Sequence, residues 1–237
     1  MERLEKLSLD SKTKPFFHST LRLVLLLVIA GNIGMAVIAM FMYPPLLTMP
    51  HSYSYILELG IMFLVYVPIV FWATKPSVAA STLQIATFWG VIAGLLEMVH
   101  ISVENFGHLT ARAETVSTGI FMGLLFLLFA VSGCRITLRN RNLISGVLCG
   151  SWSAVVCMLL VMTYGLSQLF WSFGAIEKHD MGDPDFIRTG WTDMHAFVIA
   201  DIFEACFKIL LVGPMAGIIF GFLGAALARL IFLRKVQ

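Results

Sequence analysis

Four ionisable side chains, Glu97, His100, Glu104 and His108, recur at intervals of three or four inside a long apolar stretch. At about 100° per residue these positions stack on one narrow helical face. Carboxylate and imidazole groups one turn apart form a ladder that can pass protons, and histidine titrates near physiological pH. An ionisable group at membrane depth costs at least about 2.5 kcal/mol, so it normally faces a protein interior, a partner charge or water. Glu97-x-x-His100 also has the i,i+3 spacing by which one helix aims two ligands at a bundled di-iron or di-manganese site. Such sites need a second Glu-x-x-His and two further carboxylates. Asp201-x-x-Glu204 replaces only part of that set and His195 could add a nitrogen, so a transition metal would draw on Glu97, His100, His195, Asp201 and Glu204. Haem ligation by His100 with His195 or His108 is a variant that no other residue specifies.

A second polar stripe, Asp201, Glu204 and Lys208, lies in the last apolar stretch and occupies a face about 60° wide. Glu204 before Lys208 is the favourable i,i+4 order for an ion pair. Set against the Glu97/His108 face, the stripe would enclose a polar cavity in which Lys208 offsets part of the carboxylate charge. Without that cation, close carboxylates raise one another's pKa. The plainer alternative is an interfacial helix with its stripe in water. In the same plain account Glu97 and His100 hydrogen-bond between helices, and Glu104 and His108 cap a span in the headgroup region.

The elements that would position these groups are membrane spans. Of 237 residues 59% are hydrophobic and only 13% charged, with a mean hydropathy of +0.89. A soluble chain carries about 25% charge, and apolar runs of about 20 residues match the bilayer core. The expected fold is an all-α integral membrane protein, a bundle of about six transmembrane helices. Residues 1–20 form a polar cytoplasmic segment, and 21–237 a single membrane domain with spans at about 21–43, 55–73, 82–106, 115–133, 143–170 and 214–233. The first run is too long for a signal-peptide core and is read as a retained span. Residues 195–233 would be about 58 Å as one straight helix, too long for a single crossing. Gly213-Pro214 interrupts them, so 195–212 is read as an amphipathic helix before the last span.

Charge placement supports that count. With both termini cytoplasmic, twelve of the sixteen lysines and arginines fall inside and three outside, following the positive-inside bias. The same topology gathers the polar residues near the outer face of a plasma or inner membrane. Three Gly-x-x-x-Gly pairs, 119/123, 146/150 and 217/221, suit close packing within the bundle. The four cysteines lack Cys-x-x-Cys spacing and read as buried free thiols. The acidic turn from Asp180 through Asp183 to Asp185 misses the EF-hand pattern and reads as solvated. A net charge of +2 is too small to suggest nucleic acid, and no phosphate-binding glycine loop or Gly-x-Ser-x-Gly elbow occurs.

Three functional readings follow. The leading one is a permease-like or proton- or ion-handling protein whose pocket, open to the outer side, is built from Glu97, His100, Glu104, His108, Asp201, Glu204 and Lys208. Its partners would be the lipid bilayer and a small solute or ion; no protein partner is specified. A membrane-embedded metalloenzyme using the metal set above is the first alternative. A non-catalytic subunit or scaffold is the second.

Overall fold

The computed structural model describes residues 2–49, 52–107, 109–181 and 184–234. His108 and Asp183 lie outside the described residues. The chain is a multi-pass helical membrane protein, and among the described residues no strand occurs. Its helices are α1 (Glu2–Met42), α2 (Ser52–Ala73), α3 (Ala80–Phe106), α4 (Ala111–Asn140), α5 (Leu143–Trp171), α6 (Phe173–Asp180), α7 (Pro184–Arg188) and α8 (Met194–Arg234). Six of them, α1 from Phe17 onward, α2, α3, α4, α5 and α8, are long and apolar enough to cross a bilayer.

Local chemistry sets the boundaries. Pro44 and Pro45, lacking N–H groups, follow the end of α1 as a short 3-10 turn, Pro44–Leu47. The Thr110 side chain caps α4 by accepting from the Ala113 N–H. Arg141 ends α4 in the left-handed region at φ 55°, and the Asn142 side chain accepts from the Ile144 N–H to start α5. A two-residue link therefore reverses the chain. α4 extends beyond the expected 115–133 at both ends, because residues such as Arg112 and Arg139 can be helical while facing water.

Hydrogen bonds fix the alternation. His18 Nε2 lies 2.9 Å from the Val78 carbonyl oxygen, and Arg22 donates to Thr74 Oγ1 at 2.9 Å and to its carbonyl at 3.0 Å. These bonds join the first part of α1 to the link between α2 and α3. At the opposite end, Tyr43 donates to the Asp193 carboxylate and Asn105 donates to Gln168 Oε1 at 3.1 Å. The ends of α1, α3 and α5 thus share one end of the bundle with the start of α8.

α3, α4, α5 and α8 form the central bundle; α2 packs on α8, and α1 on α5 and α2. Backbone contact brings α5 and α8 together. A Cβ on Gly150 would stand 2.5 Å from Gly221 Cα and 2.6 Å from the Gly217 carbonyl oxygen. The pairs 146/150 and 217/221 therefore pack within the bundle, whereas a Cβ on Gly119 or Gly123 would meet nothing within 4 Å among the described residues. Ala86, Gly90 and Ala93 of α3 are buried, and a Cβ on Gly90 would meet the Ser153 carbonyl oxygen of α5 at 2.5 Å.

α8 departs from the sequence expectation. The amphipathic helix over 195–212 and the span over 214–233 are one continuous helix of 41 residues, about 62 Å long at 1.5 Å per residue. Pro214 has no N–H to donate to the carbonyl of Leu210, one turn earlier. The Tyr66 hydroxyl of α2 donates to that oxygen instead, at 2.8 Å and fully buried. Neighbouring helices can re-satisfy a backbone group freed by proline in this way, so the helix passes through Pro214 unbroken. Tyr66→Phe is expected to orphan a buried acceptor and cost about 1–3 kcal/mol, read as a lower thermal unfolding midpoint in detergent. An unchanged midpoint would show that the hydroxyl does not sustain α8.

Candidate functional site

The polar centre begins with His100, held on both sides by its own helix. Its Nδ1 lies 3.0 Å from Glu97 Oε1, three residues earlier. Its Nε2 lies 2.9 Å from Glu104 Oε1, four residues later. That second contact is off the N–H axis, so it is an electrostatic contact rather than an aligned hydrogen bond. The ring stacks on Phe121 of α4 with centroids 4.8 Å apart, and Thr118 of α4 donates to Glu104 Oε1 at 2.8 Å. Burial is deep: His100 is 2% and Glu97 7% exposed. A neutral imidazole has one N–H, yet both ring nitrogens face carboxylate oxygen. A proton arriving at one nitrogen can leave from the other.

Beside this triad lies a cavity of about 580 Å³ between α3, α4, α5 and α8, within the size range of small-molecule sites. Its polar lining residues are Glu97, Glu104, Asn105, Gln168, Asp201 and Lys208; the rest of the wall is mostly apolar, including Met122, Phe126, Phe129 and Met158. Two of these wall residues each carry a deeply buried polar atom with no hydrogen-bond partner among the described residues, Glu97 Oε2 and Gln168 Nε2. Gln168 is 2% exposed, and its other amide atom is occupied by Asn105.

A second, more polar space of about 330 Å³ adjoins the Tyr43 end of the bundle, lined by Glu104, Asn105, Gly107, Leu109, Glu114, Ala175 and Lys178. Glu104 and Asn105 border both spaces. Along α3 the order from this second space, the vestibule, is Glu104, His100, Glu97, with Glu97 bordering only the inner cavity.

The same end carries a clasp that spacing does not reveal. His195 Nδ1 lies 3.0 Å from Glu177 Oε1 of α6, and its ring lies between Tyr43, at 5.7 Å, and Phe173, at 5.1 Å. The Asp193 carboxylate accepts from Tyr43 and from the Ala196 N–H that opens α8. Burial raises the Asp193 carboxyl, but the Tyr43 hydroxyl and the backbone N–H groups of Ala196 and His195 outweigh it and hold the carboxyl below its ordinary value. Tyr43 is pushed up to about 12, by burial first and then by Asp193. A lowered folded pKa stabilises above the unfolded carboxylate value and is lost as pH falls through the folded value. A raised one stabilises below the unfolded tyrosine value and is lost as pH rises through the folded value. The clasp should hold from roughly pH 4 to 10. Tyr43→Phe is expected to abolish the alkaline edge of the midpoint-versus-pH profile and weaken the acid edge. Unchanged edges would exclude the pair as their source.

The sequence-expected residues are thus distributed. Glu97, His100 and Glu104 meet one another; Glu97 and Glu104 border the cavity together with Asp201 and Lys208. Glu204 pairs with Lys208 at 2.7 Å. The metal set is not assembled. His195 is engaged by Glu177, and Glu204 lies nine positions further along the continuous helix, about 13.5 Å along the axis. Among the described residues no group of three or more His, Cys, Asp or Glu is arranged to hold a metal ion. Sequence reasoning does not pair Asn105 with Gln168, nor identify Thr118 and Phe121, because neutral residues in apolar helices carry no signal of which neighbour they meet.

No family model matches the chain, and neither a curated protein nor a solved structure matches it.

Proposed function

We propose that this membrane protein is permease-like: it binds a small solute in the cavity between α3, α4, α5 and α8 and handles protons through Glu104, His100 and Glu97. One observation carries the reading: a buried imidazole with a carboxylate at each ring nitrogen, at the wall of a ligand-sized cavity. Glu104 exchanges protons with the vestibule, His100 transfers them by taking one on one nitrogen and releasing one from the other, and Glu97 presents them to the solute. The vestibule faces outward under the positive-inside bias, since Arg22, Lys75, Arg135 and Arg139 belong to the other end.

Reconstitution in proteoliposomes tests the reading. With an internal pH-sensitive dye and an imposed potential, a panel of small solutes should include some that accelerate pH change above that of empty vesicles. No acceleration by any solute, and no basal proton flux, would overturn the proposal.

A further inference from the structure

The charge and the unpartnered atoms of the cavity go further and, resting on the solute-binding reading above, define a class of ligand. Three carboxylates border the space, Glu97, Glu104 and Asp201, against one cation, Lys208. Lys208 already lies 2.7 Å from Glu204. Even with His100 as an imidazolium, these six groups carry a net negative charge. Glu97 Oε2, buried and unpartnered, is an acceptor that wants a donor; Gln168 Nε2, also buried and unpartnered, is a donor that wants an acceptor. Leaving such atoms unmet is costly, most of all for a charged group. Both atoms are covered by their own surroundings, and a small side-chain rotation toward the cavity would let a ligand N–H meet the first and a hydroxyl or ether oxygen the second.

The remainder of the wall selects the body of the ligand. Met122, Leu125, Phe126, Phe129 and Met158 offer apolar and aromatic surface to something that leaves water readily. Phe126 is held by a parallel stack on Phe220 at 4.3 Å, so its ring is a fixed surface, and aromatic faces attract a desolvated cation. We propose that the cavity takes a hydrophobic primary or secondary amine, with its ammonium donating to Glu97 and its apolar body against the Phe126 and Phe129 wall. An anion of the same shape would meet Glu97 and Glu104 with like charge. A neutral analogue would leave Glu97 without an ionic partner.

Equilibrium dialysis against the full chain in phosphatidylcholine nanodiscs, with empty nanodiscs subtracted, decides the matter near neutral pH. The probes are 1-naphthylmethylamine, 1-naphthylmethanol and 1-naphthoic acid, which share a ring and differ in charge. The amine is expected to bind at least about tenfold tighter than the alcohol, and the acid weakest. Glu97→Gln should bring the amine down to the alcohol's level, and Ala205→Phe, which fills the cavity from α8, should weaken both. An alcohol that matches the amine, or an acid that exceeds it, overturns the cation assignment while leaving solute binding in place. No binding by any of the three overturns the amine assignment; proton flux in the proteoliposome assay then decides separately whether the permease reading falls with it. The ligand series is decided on the wild-type protein, so the outcome stands even where a variant fails to fold.

Discussion

Replacing His100 with glutamine is expected to cut proton flux through the reconstituted protein about a hundredfold or more, the low end of what a positioned proton-transfer group contributes. Glutamine keeps nearly the length of the imidazole and can still donate to Glu97, but it cannot accept a proton on one side and release one on the other. It also fills the space against Phe121, which alanine would leave empty beside two carboxylates. The comparison needs a folded variant, so the flux is read alongside the thermal midpoint. Wild-type flux in a folded His100→Gln protein would remove the imidazole from the route. Glu104→Gln should have a smaller effect, because Asn105 and Glu114 also border the vestibule and water there can deliver protons.

Gly150→Leu is expected to prevent the central bundle from closing. Overpacking in a core usually costs about 1–3 kcal/mol because side chains can shift. At Gly150 the obstacles are Gly221 Cα at 2.5 Å and the Gly217 carbonyl oxygen at 2.6 Å, both main chain. Neither can rotate away, so the cost should exceed about 3 kcal/mol. The readout is the yield of monodisperse protein and its midpoint, compared with Gly123→Leu, where nothing lies within 4 Å of the added carbon. Equal behaviour of the two variants would mean that the α5–α8 approach does not stabilise the bundle.

The six spans are legible in the sequence because hydrocarbon imposes length and apolarity on each crossing independently. Where sequence and structure part, a distant partner decides the outcome. Gly213-Pro214 reads as a break, yet α8 is continuous, and the hydroxyl of Tyr66, on a helix far away in the chain, takes the carbonyl that the proline leaves unpaired. His195 groups with Glu204 in sequence because both belong to one segment, yet a straight helix holds them apart and Glu177 of α6 engages the imidazole. The spacing of Glu97, His100 and Glu104 does indicate a shared face. Which carboxylate each ring nitrogen meets, and that Asn105 reaches Gln168, depend on rotamers and on packing against α4 and α5, for which spacing carries no information. Gly119/Gly123 has the same spacing as Gly146/Gly150 but no helix against it, so the motif records permission for contact rather than contact itself.

The proline in α8 has a mechanical consequence. A helix ordinarily resists bending because opening one side stretches main-chain hydrogen bonds, but at Pro214 that bond is already absent. Its acceptor is held by the end of a side chain on α2, which can follow the carbonyl through a small rotation. The compliant point of a 41-residue rod thus lies beside the cavity wall, where Gly213 and Ala216 border the space. A bend at that point would alter the volume of the cavity, because it would shift Gly213 and Ala216 relative to the wall formed by α3, α4 and α5.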